Sequence, residues 1–144
     1  GLVQKYLNKV SGPLMDRIDI HVEVVPITHE ELASTKPVEK SEEIRKRVIK
    51  ARAIQNKRFA EYERIHCNAQ MSRKQVEQYC SISTEGEKLL KTAMERLGLS
   101  ARAYDRILKV ARTIADLEES PEIEIEHLSE AINFRSLDRD NWGK

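Results

Sequence analysis

The sequence predicts a mainly α-helical fold with four main helices, and three observations carry that expectation. Apolar residues recur at helical spacing between Leu99 and Leu117, as Ala103, Ile107, Val110, Ile114 and Leu117, with Ala111 beside them. Helix punctuation recurs along the chain: Ser72 with Gln75, Thr84 with Glu87, a stop at Gly98 and a Ser100 N-cap directly after it. Only Ile18 to Val24 alternates like a strand, with Ile18, Ile20, Val22 and Val24 on one face and Asp19, His21 and Glu23 on the other. The 144 residues suffice for one domain with a real core, and 34% charged with 5% aromatic residues suits helices with solvated outer faces.

Residues 1–10 read as a short helix with Leu2, Tyr6, Leu7 and Val10 on one side, broken at Ser11-Gly12, with Pro13 opening a turn. A lone strand at 18–24 is not stable without partners, so the chain's beginning reads as the end of a sheet domain. The first residue is Gly1 and the first Met is Met15, as expected of a piece of something larger. Thr28 with Glu31 boxes about one helical turn, and 33–40 reads as a linker containing Pro37.

Ser41 caps a predicted long helix to about Tyr62, with Glu42 and Glu43 in its first turn. Its expected buried face is Ile44, Val48, Ala51, Phe59 and Tyr62, and Lys46, Lys50, Lys57 and Arg64 line the opposite side. After a loop at 63–70, the Ser72 box starts a short helix carrying Val76 and Tyr79. The Thr84 box starts another with Leu89, Leu90, Ala93, Met94 and Leu97 inward. Glu118 to Glu124 is a loop, and a last helix from about Glu126 to Leu137 packs Leu128, Ala131 and Ile132. The tail from Asp138 is polar.

The formal charge of +1 hides an asymmetry: residues 40–74 hold eleven Lys/Arg against four Asp/Glu, and 75–144 hold ten against fourteen. One part can interest an anionic partner and the whole cannot. Two cysteines, Cys67 and Cys80, are too few for a disulfide scaffold, so a reducing cytoplasm is the default expectation. Five scattered glycines make no phosphate loop, and His66, Cys67, Cys80 and His127 lack zinc-site spacing, so no metal is expected.

Three features remain as candidate sites. Lys46, Lys50 and Lys57 could contact nucleic-acid phosphates, against the simpler reading of a solvated helix face with Glu43–Arg47 and Lys57–Glu61 pairs. The helix–Gly–helix junction from Thr84 to Leu117 could be a stand-alone helix-turn-helix-like DNA-binding module, with Arg102 and Arg106 reading bases. Arg102 could also pair with the terminal phosphate of a nucleotide held by a neighbouring domain. It sits in a first turn, where the helix dipole disfavours a cation, and Arg106 repeats the charge one turn on.

SGPLMDRIDIHVEV at 11–24, LSARAYDRILKVARTIADLE at 99–118 and HLSEAINFRSLDR at 127–139 resemble the C-terminal end of the magnesium-chelatase-like ComM/YifB family of AAA+ ATPases. The resemblance implies that 1–26 are the end of an incomplete ATPase core and 27–40 a linker. It makes 41–137 an AAA+ C-terminal helical lid and 138–144 a polar tail. It further implies ATP and Mg in the full-length parent, none held tightly by this chain alone, with the phosphate loop upstream. The implied partners are the chain's own ATPase core, neighbouring subunits of a ring expected to be a hexamer, and DNA, with a link to natural competence. Arg102, in Ser-Ala-Arg-Ala, matches the family's sensor-2 arginine. Arg17, in Pro-Leu-Met-Asp-Arg-Ile-Asp, matches an arginine finger that enters the neighbouring subunit, its plainer role being an ion pair with Asp16 or Asp19. Similarity to a chelatase motor subunit does not carry metal insertion or porphyrin binding with it.

Overall fold

A helix rich in alanine and β-branched residues lies at the centre of the fold, and the other elements are arranged around it. The computed structural model describes residues 12–15, 17–22, 24–29, 33 and 38–135. The expected helix at 1–10 and the tail from Asp138 lie outside the described residues, as does most of the turn expected after Thr28. Following a single helical turn, Gly12–Met15, the helices are α1 (Ser41–Arg58), α2 (Arg73–Tyr79), α3 (Thr84–Leu97), α4 (Ala101–Leu117) and α5 (Ile125–Asn133). A 3-10 turn, Asn68–Gln70, joins α1 to α2. Helix α4 packs against α1, α2, α5 and the 3-10 turn, and α3 packs against α5.

The periodicity of α4 explains its place. Ala103, Ala111 and Ala115 are wholly buried, which lets neighbours approach closely, and Ile107, Leu108, Val110 and Ile114 fill the spaces between. Leu90, Val76, Phe59, Met71, Leu128 and Ala131 complete one core. Fully burying each of the larger side chains contributes about 1.5–3 kcal/mol. Phe59 meets the rings of Tyr62 and Tyr79 edge-on, at 6.2 and 5.7 Å between centroids.

Helix ends follow local chemistry, with small departures from the expected boundaries. Ser72 and Gln75 form the expected reciprocal box. The cap of α3 is Ser83 rather than Thr84, its hydroxyl accepting from Gly86 N–H at 3.1 Å. Gly98 ends α3 at φ +62°, a conformation that disfavours any residue with a Cβ. Helix α1 begins at Ser41 with Lys40 in the cap position, so Ser41 is inside the helix and does not cap it. It stops at Arg58, short of Tyr62, where Phe59 turns into the core and Arg58 into an ion pair.

Two expectations about faces are corrected. Ile44 and Val48 are 44% and 46% exposed, because the first turns of α1 run past the body and burial begins at Ala51 and Gln55. Ile18 to Val24 does not form a strand among the described residues. Its apolar face points outward, with Val22 65% and Val24 86% exposed, while His21 is buried. Alternation requires a neighbouring strand to decide which face goes in, and among the described residues none is paired with it.

The core also contains charge. Asp116 has no solvent exposure. Arg58 grips both its oxygens, Nη1 to Oδ2 at 2.7 Å and Nη2 to Oδ1 at 2.5 Å. Asn68 Nδ2 donates to Oδ2 at 2.8 Å, Gln55 Nε2 to Oδ2 at 3.3 Å and Arg112 Nε to Oδ1 at 3.1 Å. Arg112 spends its remaining donors on the carbonyls of Pro121 and Ser120, at 2.9 and 2.6 Å, and so ties down the loop that leaves α4. Burial pushes the Asp116 carboxyl up, but the hydrogen bonds from Arg58 and Asn68 and the charges of Arg58 and Arg112 outweigh it and leave it below its usual value.

A depressed native pKa means that the Asp116 contribution is full above the ordinary carboxylate value near ~3.9 and is lost as pH falls through the native value. Asp116→Ala strands two cations and is expected to cost about 3–5 kcal/mol in urea unfolding at pH 7. The difference between wild type and variant should shrink below about pH 4; a constant difference down to pH 2 would contradict the assignment.

Candidate functional site

The first turn of α4 is assembled by three small residues. Gly98 in the left-handed region turns the chain out of α3, and Leu99 N–H closes that turn on Met94 O at 3.0 Å. Ser100 Oγ then accepts from Ala103 N–H at 3.3 Å. This geometry buries Ala103 and leaves Ala101, Arg102 and Tyr104 exposed. No acidic residue lies in the first turn of α4, and among the described residues no hydrogen bond or ion pair engages the Arg102 guanidinium.

Arg102 and Asp105 border two depressions. A cavity of about 540 Å³ lies on one side of α4, between Arg106, Lys109 and Val110, the 19–20 segment and Phe134. A second groove, of about 740 Å³, lies on the other side, between α4, α2 and α3, with Cys80, Met94 and Tyr104 on its walls. Arg106, expected to be strained beside Arg102, is neutralised by an ion pair with Asp19 across the first cavity. Lys109 Nζ donates to Ala69 O at 3.2 Å. Of the three cations on this edge of α4, Arg102 alone has no such partner among the described residues.

Arg17 is exposed on the turn after Gly12–Met15, its N–H on Leu14 O at 3.0 Å, and it borders neither depression. The simpler pairing with Asp19 does not form, since Asp19 is taken by Arg106, and Asp16 lies outside the described residues. The lysine stripe of α1 is occupied in part. Lys46 meets Glu43 at 2.9 Å and Glu42 at 3.5 Å, and Lys50 meets Glu119 at 2.6 Å. Lys57 is exposed. The expected Glu43–Arg47 pair is replaced by Arg47 with Glu39. Exposed pairs of this kind contribute little to stability.

The helix-turn-helix reading has little surface to work with. A recognition helix presents its first turns to base edges, and on α4 the exposed positions there are Ala101, Arg102 and Tyr104, with Asp105 and Arg106 partly buried and Arg106 paired with Asp19. Exposed positions on α4 are confined to its two ends.

Arg135 was not singled out in the sequence, and His127 was weighed there only as a metal ligand. Arg135 is fully buried and donates to Ile18 O, with a second nitrogen 3.5 Å from Met15 O. It lies just past the end of α5, and its spacing from Leu128 and Ala131, seven and four residues, continues that helix's buried stripe and could have marked it. His127 accepts the Glu124 N–H on Nδ1 at 2.9 Å, which leaves Nε2–H to donate to Glu118 Oε2 at 3.0 Å. It is part of the α5 N-terminus. Among the described residues no three His, Cys, Asp or Glu side chains converge as a metal site, and no helix is long and apolar enough to cross a membrane.

Residues 38–135 match the family model "Magnesium chelatase, subunit ChlI C-terminal", and residues 2–32 match "Magnesium chelatase, subunit ChlI". The chain therefore belongs to the magnesium chelatase ChlI C-terminal family, and its helical body is that family's C-terminal domain. Within it, the chain is a member of the ComM/YifB magnesium-chelatase-like group. It is 39% identical to the competence protein ComM of Haemophilus influenzae over 95% of its length, and 39% identical to YifB of Escherichia coli over 94%. A protein of Mycobacterium tuberculosis is 31% identical over 92%. The chain spans about a quarter of the length of these relatives, 26% in each case.

The two cysteines should differ in reactivity. Both are free, and burial pushes the Cys80 thiol up to about 11, whereas Cys67 is half-buried. Ellman's reagent at pH 8 is expected to titrate one thiol, Cys67, rapidly in the native protein and the second only on unfolding. Two equally fast thiols would contradict the buried placement of Cys80.

Proposed function

We propose that this chain is the lid of an AAA+ ATPase and that Arg102 is the lid's contact to the terminal phosphate of ATP. One observation carries the reading: an exposed guanidinium in the first turn of the most deeply buried helix, with no acidic partner among the described residues. A cation there works against the helix dipole, so an anion brought from outside stabilises it twice over, by direct pairing and by relieving that conflict. Arginine suits the task better than lysine, because its planar fork can meet two phosphate oxygens at once.

ATP with magnesium supplies the phosphoryl chemistry when bound. This chain's own part is to place one positive charge where negative charge develops, on a helix held rigidly by its core. On this reading the phosphate loop and the magnesium-holding acids belong to an adjoining ATPase core. Arg17, exposed on its turn, is the arginine finger offered to a neighbouring subunit of a hexameric ring. The name of the Haemophilus relative, competence protein, favours DNA as the substrate on which the ring moves. Lys46, Lys50 and Lys57 are the residues available for phosphate contacts, with Lys57 the freest.

In the full-length ATPase, Arg102→Ala is expected to lower turnover by about 100-fold while the melting temperature stays within a few degrees. Wild-type turnover would defeat the assignment. The chain alone is expected to bind ATP no better than millimolar, and a micromolar Kd by calorimetry would count against it. Were the chain instead an independent DNA reader, fluorescence anisotropy would report tight, salt-sensitive duplex binding that Arg102→Ala abolishes.

A further inference from the structure

The segment that carries Arg17 has no strand partner among the described residues, yet three polar contacts fasten it to the helical body. Arg135, without solvent exposure, donates to Ile18 O and reaches to 3.5 Å of Met15 O. His21 N–H donates to Phe134 O at 2.8 Å. Asp19 pairs with Arg106. The first contact brackets Arg17, taking a carbonyl on each side of it. The third joins the residue two positions beyond Arg17 to a side chain one helical turn beyond Arg102.

Burying a guanidinium is costly unless its donors are satisfied, and its five N–H groups form a rigid fork. Arg135 directs two of its nitrogens at main-chain carbonyls, so it holds the backbone at Met15 and at Ile18 while Arg17 stays exposed. We propose that Arg135, assisted by the Asp19–Arg106 pair, is a positioning residue that makes the Arg17 turn part of the lid, so that Arg17 and Arg102 move as one body. Loss or gain of the contact at Arg102 is thereby passed to Arg17 without a flexible joint between them. The proposal rests on the reading of Arg17 as a finger and adds how that finger is regulated.

The test uses the full-length ATPase, with kcat and KM for ATP measured for Arg17→Ala, Arg135→Gln, Arg135→Lys and the Arg17→Ala/Arg135→Gln double, each checked by thermal melting. Arg135→Gln is expected to lower kcat about 10-fold with KM within about twofold, and Arg135→Lys to recover part of the loss. The double should be no slower than Arg17→Ala alone, since both changes remove the same placed charge. A double that shows the product of the two single losses, or a wild-type kcat in folded Arg135→Gln, overturns the proposal. A wild-type kcat in Arg17→Ala defeats the finger itself, whereas a slow Arg17→Ala with an additive double defeats only the coupling. If Arg135→Gln does not fold, the exposed pair decides: Asp19→Arg and Arg106→Asp should each slow turnover, and the two together should restore it. Folded singles without loss, or a folded exchange without restoration, overturn it equally.

Discussion

The carboxylate of Asp116, shut away from water, is the constraint on which the arrangement of helices depends. A buried charge of this kind is tolerated only if its lone pairs are filled, and here four side chains fill them. Those side chains come from α1, the 3-10 turn and α4 itself, so one carboxylate sets three elements in register. Hydrophobic burial around Ile107, Leu108 and Leu128 provides the larger share of stability. It is non-directional, and a stack of Ala and Leu faces alone would leave α1 free to slide along α4. The ion pair with Arg58 removes that freedom.

The consequence for the site is mechanical. Arg112 is bound at once to Asp116 and to the carbonyls of Ser120 and Pro121, which holds the C-terminal end of α4. Gly98 and Ser100 define its beginning. Between these fixed points the helix is a stiff rod whose exposed first turn presents Arg102 between two depressions. The backbone that carries the charge is therefore pre-organised, and the freedom that pairing with an anion would cost is that of the Arg102 side chain itself.

Much of this was readable in the residues, and the limits have physical causes. The 3.6-residue period of α4 and the Gly98 stop were legible because both are local properties of the chain. The Asp116 network was not, because it joins residues about sixty positions apart, Gln55 and Arg58 with Asp116, and polar letters default to the surface. A signal existed: Arg112 and Asp116 continue the Leu108 stripe at i+4 and i+8 and so belong to a buried face. The Ile18–Val24 alternation was legible as a pattern and misleading as a strand. Periodicity gives two faces but not which one a partner covers, and in this chain His21 goes in and Val22 goes out. For the site, the oddity of Arg102 was visible from helix-dipole reasoning alone. The separation of Arg17 from Asp19 was not, since it depends on Arg106 claiming Asp19 across 87 positions.

The proposed role of Arg102, contact to the terminal phosphate of ATP, draws on membership of the magnesium chelatase ChlI C-terminal family and on a guanidinium without a hydrogen-bond or ion-pair partner among the described residues. The most direct measurement is the affinity ratio for a non-hydrolysable ATP analogue over ADP in the full-length protein, with and without Arg102→Ala. The account predicts that the wild type prefers the triphosphate by about tenfold or more, roughly 1.4 kcal/mol, and that the variant loses the preference while still binding ADP. An unchanged ratio in a folded variant would contradict it.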